Sequence, residues 1–334
     1  MAVFLRIFVA VFLAAFASPA FAVGFQYLSI PDDTGRPIEI GIWYPSKSET
    51  TTVNVGMIAQ NVALDGKIEG NGLPVVIFSH GNAGWYGDRS DAAALLAQHG
   101  IVAVSLTYPG DNYKDSSDRI KYWLKSRPVV TSQVLDYVLN TWPDHDHLDN
   151  SEIGFYGFSA GAYTGLVELG GVPDWTLFAQ HCASHRDEML CSVESAVYLS
   201  GSQAATIPTS AWHHDPRIKA AVLAAPGYGF AFDPKSLMGI AVPVELWGGS
   251  QDANVPFTST VPYLKDHMPN VVAVHEVANA IHYSFLRPCS ESSKAKNLEI
   301  CTDLPGFDRT AFQEAFNQDI LEFFQSKLMN PPHG

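Results

Sequence analysis

The sequence is poor in basic residues. Its 334 residues include only 20 Lys and Arg against 34 Asp and Glu, which gives a formal net charge of −14. No cluster of Lys or Arg stands out along the chain, although nucleic-acid-binding proteins need a basic patch to contact phosphates. We therefore expect no nucleic-acid partner, and the acidity mainly favours solubility.

Long apolar runs are also scarce, apart from one at the N-terminus. Arg6 precedes the apolar run Ile7–Phe16, and the small-x-small sequence Ala20-Phe21-Ala22 follows it. This order is typical of a secretory signal peptide, and the run is short for a membrane span of about 20 residues. We predict that residues 1–22 are a signal peptide cleaved after Ala22, which leaves no stable membrane anchor. The protein would then be secreted or periplasmic; the alternative is an uncleaved anchor.

Cysteine is rare, and its count is even. The four cysteines are Cys182, Cys191, Cys289 and Cys301, and an even number in a secreted chain suggests disulfides. Three pairings are possible; the local ones, Cys182–Cys191 and Cys289–Cys301, are favoured because each pair lies within one loop-like segment. Their spacing fits no usual zinc motif.

Two short runs mix histidine with aspartate, Asp144–His147 and His213–Asp215. Both residue types can ligate metals, but both runs are interpreted as solvated loops. We expect neither a metal nor a cofactor.

The remaining chain, residues 23–334, alternates apolar strands with helical segments. This alternation predicts a single α/β domain with a mostly parallel sheet and helices on both faces. Gly24–Ile30 and Ile38–Tyr44 are predicted to form an antiparallel hairpin, and Thr50–Gly72 an irregular excursion. Two insertions, at about residues 172–215 and 286–305, interrupt the alternation. Long insertions of this kind often form lids or pocket walls. For the second insertion, a surface loop that is held by a disulfide and has no role at the site is an equally good interpretation.

The sequence Ile153–Gly161 ends a short apolar run in Gly-x-Ser-x-Gly. This pattern predicts a strand that turns sharply into a helix, with Ser159 exposed at the apex. Gly157 and Gly161 fit such a turn because larger side chains beside the serine would collide. Ser159 is therefore the candidate nucleophile.

A serine nucleophile needs a histidine base, which a carboxylate must orient. When the elbow lies in an α/β-hydrolase sheet, the chain order is Ser, then Asp or Glu, then His. Asp252 lies in a turn after the apolar run Val242–Trp247 and is the predicted acid. Asp233, after the preceding strand, is the alternative.

The base is predicted to be His282. It begins the loop that follows the last predicted strand, Val271–Val277, where the chain order places the histidine. The other histidines after Asp252 fall in or near a helix, inside a strand and in the proline-rich tail; they are His267, His275 and His333.

The oxyanion of a tetrahedral intermediate requires preorganised N–H donors. One predicted donor is the backbone N–H of Ala160, directly after the serine. The other is the backbone N–H of Asn82, in the loop His80–Trp85 that follows the strand Leu73–Ser79. His80 is interpreted as a residue that holds this loop.

Taken together, these motifs resemble the dienelactone-hydrolase-like α/β-hydrolases, near the platelet-activating-factor acetylhydrolase branch. The residues that carry the resemblance span most of the chain: Gly35-Arg36-Pro37, Trp43-Tyr44-Pro45, Phe78-Ser79-His80-Gly81, Tyr108-Pro109-Gly110-Asp111, Gly157–Gly161, Gly249–Asp252 and His282. The resemblance implies an α/β-hydrolase fold and hydrolase activity.

Two departures narrow what the resemblance implies. Dienelactone hydrolase proper uses a cysteine nucleophile, whereas this chain has Ser159, which favours ordinary ester hydrolysis. The acetylhydrolase branch places its acid where this chain has Ala225-Pro226, so the acid is again Asp252 and that branch's specificity is not implied. The two insertions are not part of the family pattern.

The sequence therefore predicts a secreted serine hydrolase that cleaves carboxylic esters through Ser159, Asp252, His282 and an acyl-enzyme. Its partner would be a small-molecule or lipid-like ester, and the oligomeric state is left open. The alternatives are a peptidase or acyltransferase on the same fold, or a non-catalytic binding module.

Overall fold

The computed structural model of the chain describes residues 21–117, 123–192, 212–290, 294–295 and 297–329. The predicted signal peptide lies outside these ranges except for its last two residues, and Ala22 begins the first strand. In the described part of the chain, no helix combines the length and apolar character of a membrane span.

The strands form one sheet. In chain order they are β1 (Ala22–Pro31), β2 (Pro37–Ser46), β3 (Thr51–Val55), β4 (Ile58–Leu64), β5 (Leu73–Ser79), β6 (Val102–Thr107), β7 (Leu148–Phe158), β8 (Ile218–Ala224), β9 (Val244–Gly249) and β10 (Val271–Val277). Across the sheet their order is β10-β9-β8-β7-β5-β6-β2-β1-β4-β3. The six strands from β10 to β6 across the sheet are parallel to their neighbours. Parallel neighbours need long crossover connections, which are usually helices.

Helices connect and cover these strands. They are α1 (Ser90–Gln98), α2 (Trp123–Asn140), α3 (Ala160–Glu168), α4 (Trp175–Ser184), α5 (Pro234–Leu237), α6 (Phe257–His267), α7 (Leu298–Cys301) and α8 (Arg309–Phe324), and a π-helical turn, Gln325–Met329, continues α8. The predicted alternation of strands and helices is confirmed.

The sheet carries a separate apolar core on each face. Strand β5 shows the division, because side chains alternate across a strand: Val75 and Ile77 pack in one core, and Val76 and Phe78 pack in the other. Buried residues of α2, α3 and α6 complete the first core, and those of α1 and α8 complete the second. Helices therefore lie on both faces, as predicted.

In the N-terminal half of the sheet, one of two predictions is confirmed and the other is wrong. The hairpin of β1 and β2 is confirmed, with Ile30 opposite Ile38. The segment Thr50–Gly72, expected to be irregular, instead forms a second hairpin, in which Val55 lies opposite Ile58. Gly56 has a φ of +57°, and glycine adopts this left-handed conformation without the strain that a side chain causes.

Both predicted disulfides are present, Cys182–Cys191 and Cys289–Cys301. In the first insertion, α4 and the residues up to Ser192 are described, whereas residues 193–211 lie outside the described chain. In the second, residues 291–293 and 296 lie outside it. A lid role for either insertion stays a prediction.

Candidate active site

The elbow at Ser159 has the geometry that its glycines predict. Ser159 follows β7 directly and precedes α3, with φ +55° and ψ −114°, a conformation that strains a residue with a side chain. A Cβ at Gly161 would lie 2.0 Å from the Ser79 carbonyl oxygen, and one at Gly157 would lie 2.4 Å from the Gly161 carbonyl oxygen. Only glycine fits these two positions, and the packing holds the half-buried Ser159 in its strained turn.

Ser159, His282 and Asp252 form one hydrogen-bonded chain. The Ser159 Oγ lies 3.0 Å from His282 Nε2, and His282 Nδ1 lies 2.7 Å from Asp252 Oδ2. All three residues follow the carboxyl ends of parallel strands, β7, β9 and β10, which meet at the same edge of the sheet. The sequence order that selected these residues thus corresponds to a shared location.

The two partners of Ser159 are held from several sides. The other oxygen of Asp252, Oδ1, accepts hydrogen bonds from the backbone N–H groups of Asn254 and Val255 at 2.9 and 2.8 Å. Because a carboxylate only accepts, the Nδ1 of His282 carries the proton and its Nε2 lone pair faces Ser159. The Phe158 ring packs against the imidazole, with ring centroids 4.8 Å apart.

The alternative candidates have other contacts. Asp233 caps α5 by accepting from the backbone N–H of Ser236. His275 lies inside β10, where it pairs with Glu245 and stacks on Trp247. His267 donates to a backbone carbonyl of its own helix, α6, and His333 lies outside the described residues.

The predicted oxyanion loop lies directly against the serine. A Cβ at Gly81 would lie 3.6 Å from the Ser159 Cβ and 2.9 Å from the Phe158 ring. The Gly81 carbonyl is the other half of the peptide that carries the Asn82 N–H. In a trans peptide these two groups point in opposite directions, so whatever holds the carbonyl also aims the N–H.

Two buried side chains hold the Gly81 carbonyl. Arg127 Nη2 donates to it at 3.1 Å, and His80 Nδ1 lies 2.6 Å away. His80 Nε2 accepts from the Tyr108 N–H, which assigns the ring proton to Nδ1. Burial and the neighbouring guanidinium hold the pKa of His80 well below its usual value, so the ring is neutral. Because the peptide is trans, the Asn82 N–H points away from these two side chains, and Asn82 itself is exposed.

Arg127 is the site residue that sequence reasoning missed. Its side chain is 1% exposed and forms an ion pair of 2.8 Å with the equally buried Asp111, while Nη1 donates to the His80 carbonyl at 2.6 Å. A signal was available: Arg127 occupies the same helical face of α2 as the buried Val134 and Val138, at spacings of 7 and 11 residues. A cation on an apolar face indicates a buried partner.

The other predicted donor, the Ala160 N–H, is the first amide of α3 and has no intrahelical acceptor. The partial positive charge of a helix N-terminus lies at the same place. The two predicted donors belong to separate elements, the loop after β5 and the start of α3, and both elements adjoin Ser159.

The loop that carries His282 is anchored to the second disulfide segment. Ser284 Oγ donates to Asp303 Oδ1 at 2.8 Å, and Arg309 pairs with the same carboxylate at 2.7 Å. Asp303 follows the disulfide-bonded Cys301 by two residues. This segment therefore supports the position of the histidine loop.

A scan against protein-family models and a search of curated proteins give no match to the chain. In structure, the chain is similar to a ferulic acid esterase from Streptomyces cinnamoneus, with a TM-score of 0.62 over 95% of this chain and 93% of that chain, at 14% sequence identity. At this identity the likeness shows the fold: the chain has an α/β-hydrolase fold, as predicted. The resemblance to the dienelactone-hydrolase-like branch stays a prediction.

Proposed function

We propose that this protein is a serine hydrolase that cleaves carboxylic esters through an acyl-enzyme. The observation that carries the proposal is the hydrogen-bonded chain from Ser159 Oγ through His282 to Asp252, with distances of 3.0 and 2.7 Å. Both distances are within the reach that a nucleophile and its base require. The structural likeness to a protein described as a ferulic acid esterase supports the same reaction class.

In the first half-reaction, Ser159 Oγ attacks the acyl carbon while His282 Nε2 takes its proton. The Asp252 carboxylate holds the imidazole in the required tautomer and stabilises the imidazolium that forms. The backbone N–H groups of Asn82 and Ala160 would hold the oxyanion. His282 then gives the proton to the departing alkoxide, which leaves as an alcohol.

In the second half-reaction, a water molecule attacks the acyl-enzyme and gives a proton to His282. The second tetrahedral intermediate collapses, the acid product leaves, and the proton returns to Ser159 Oγ. Every proton transfer uses the same imidazole nitrogen, Nε2, so the Nδ1 proton must stay on the imidazole, which donates it in a hydrogen bond to Asp252. The reaction needs no group beyond these residues and water.

The predicted signal peptide and two disulfides fit a secreted or periplasmic location. We include that location in the proposal. The N-terminal mass of the protein recovered after export tests it: a chain that begins at Val23 is expected, and a chain that retains Arg6 would contradict cleavage.

The test of function combines labelling with turnover. Purified protein is treated with a fluorophosphonate probe and mapped by peptide mass spectrometry, and p-nitrophenyl esters from acetyl to palmitoyl are assayed. We expect label on Ser159 and ester turnover, both lost in Ser159→Ala. Ser151→Ala is the matched control, because Ser151 is exposed near the start of β7 and its hydroxyl donates to the neighbouring Asp149 carboxylate.

Full turnover in Ser159→Ala would overturn the assignment. Faster cleavage of aminoacyl p-nitroanilides than of the esters would favour a peptidase, and acyl transfer to an added alcohol in preference to water would favour an acyltransferase. Folded protein that neither labels nor turns over any of these substrates would favour a binding module.

A further inference from the structure

A group of potential metal ligands lies at the end of α3 opposite to Ser159. Glu168 is the last residue of α3, and His213 and Asp215 lie in the segment that enters β8. One ligand atom of each of these three side chains lies within 4.8 Å of the other two. The Asp215 N–H donates to the Glu168 carbonyl at 3.0 Å, so the two backbone segments are in direct contact.

Glu168 is the unexplained member of this group. Its side chain is fully buried, at 0% exposure, and neither carboxylate oxygen has a hydrogen-bond partner among the described residues. Burial and the charge of Asp215 raise the pKa of Glu168 well above its usual value. Protonation alone would still leave a buried hydroxyl and a buried carbonyl oxygen unpaired, which proteins rarely tolerate.

The charges around Glu168 are unbalanced in favour of a cation. Arg217 is shared between two carboxylates: its Nη2 lies 2.5 Å from Asp215 Oδ2 and its Nη1 lies 2.6 Å from Asp136 Oδ1. Arg217 thus pairs with Asp215 and Asp136, and the buried Glu168 carboxyl has no ion-pair partner among the described residues. Asp136 is 65% exposed and solvated, so the group that lacks a counter-charge is Glu168, and a bound cation would supply it.

The donor types identify the kind of cation. One imidazole and two carboxylates suit zinc, whereas calcium and magnesium prefer oxygen ligands alone. A tetrahedral zinc places its ligand atoms about 3.3 Å apart, so small side-chain rotations would close the site. Ser132 lies beside it: its hydroxyl donates to Asp215 Oδ2 at 2.6 Å and lies 2.8 Å from His213 Nε2.

We propose that Glu168, His213 and Asp215 bind one Zn²⁺ ion. Such an ion would join the end of α3, the helix that begins at Ser159, to the strand entry at β8, and half-buried His213 provides the approach from solvent. The sequence pattern suggested only a solvated loop at His213–Asp215. Glu168 joins that loop through the fold, 45 residues earlier in the chain.

A second group, His181, Glu188 and Cys191, meets the same distance criterion. It does not carry a metal proposal, because the Cys191 sulfur is bonded to Cys182 and is not available as a thiolate. The described chain has no free cysteine, so background zinc binding would come from surface histidines.

The test is a ZnCl₂ titration of the EDTA-treated full protein by isothermal titration calorimetry, together with thermal unfolding. We expect one Zn²⁺ per chain with a Kd below about 1 µM, and a rise in Tm of about 5 °C at a free zinc concentration of 100 times Kd. CaCl₂ at the same concentration is expected to give no comparable shift.

Glu168→Gln keeps the shape of the side chain and removes its charge. We expect it to weaken zinc binding by at least about 100-fold, while the Tm of the metal-free protein changes little, because glutamine has nearly the same size and, like a protonated glutamate, is an uncharged polar group at this buried position. His213→Gln, at a half-buried position, is the second variant in case Glu168→Gln does not fold. His145→Gln is the matched control for binding by a surface histidine and should keep the wild-type Kd.

Two results would overturn the proposal. One is the absence of a binding isotherm in wild-type protein at 100 µM ZnCl₂, about 100 times the expected limit of Kd. The other is a Kd in Glu168→Gln or His213→Gln that equals the wild-type value. Because both readouts are binding measurements, they do not depend on whether the protein hydrolyses esters.

Discussion

Removal of the Arg127 guanidinium should impair catalysis without contact between that residue and the substrate. Arg127 is one of three donors that hold the Gly81 carbonyl, the others being His80 Nδ1 and the backbone N–H of Gly84. In Arg127→Met, the Gly81–Asn82 peptide loses one of these restraints and can rotate. The Asn82 N–H then no longer stays in the direction that an oxyanion donor requires.

The size of the fall in kcat depends on the two contacts that still hold the Gly81 carbonyl in Arg127→Met. Complete loss of one oxyanion donor lowers kcat by about 10²–10³. Because His80 and the Gly84 N–H still hold the Gly81 carbonyl, we expect a smaller fall in kcat, of about 10- to 100-fold, with KM changed by less than about threefold. Arg127→Met also leaves the buried Asp111 carboxylate without its ion pair, which should lower the free energy of unfolding by about 3–5 kcal/mol.

The stability loss could itself reduce activity, so the decisive variant is the double substitution Arg127→Met with Asp111→Leu. Replacement of a buried ion pair by apolar side chains is often neutral for stability. We expect the double variant to unfold near the wild-type Tm and to keep the reduced kcat. Steady-state assays with a p-nitrophenyl ester and thermal unfolding measure both quantities. A folded double variant with kcat within about twofold of wild type would refute the reasoning.

Three further predictions follow from the site and its surroundings. Asp252→Asn should lower kcat by about 10³–10⁴ because the amide no longer fixes the His282 tautomer; retention of the wild-type kcat would contradict the assigned acid. Burial raises the pKa of Asp88 to about 7, so the folded state binds a proton that the unfolded chain releases near its ordinary pKa of about 4. The free energy of unfolding should therefore fall as the pH rises from about 4 to about 7. Urea titrations should show a smaller fall over this range in Asp88→Asn than in the wild type. Cys289→Ser with Cys301→Ser should lower the free energy of unfolding by about 2–3 kcal/mol and also lower kcat through the His282 loop; unchanged stability against urea would contradict the first expectation.

The hairpin of β3 and β4 was not predicted from the sequence, although its residues contain a signal for it. Thr50–Gly72 contains β-branched residues on both sides of Gly56-Met57, which is a recognisable turn signal. Its polar content nevertheless favoured an irregular segment. The structure places this hairpin at one end of the sheet, with β3 as the edge strand and β4 between β3 and β1, and edge strands commonly carry polar and charged side chains.

The sequence by itself determined the features that depend on neighbouring residues. Apolar periodicity located the strands of the parallel sheet, the glycines around Ser159 predicted a strained turn, and chain order selected Asp252 and His282. The first two signals are encoded within a few residues, since strand and helix periods and steric limits at a turn act locally, and the third needs only the order of the motifs along the chain.

Only the tertiary structure decided which distant side chains meet. It placed Arg127 of α2 on the loop after β5, and it brought Glu168 beside His213 and Asp215. Neither contact has a sequence spacing of its own, because the sheet order and the packing of helices onto its two faces bring these residues together. The role of a buried charged residue depends on the partner that the fold places beside it, and the neighbouring sequence does not identify that partner.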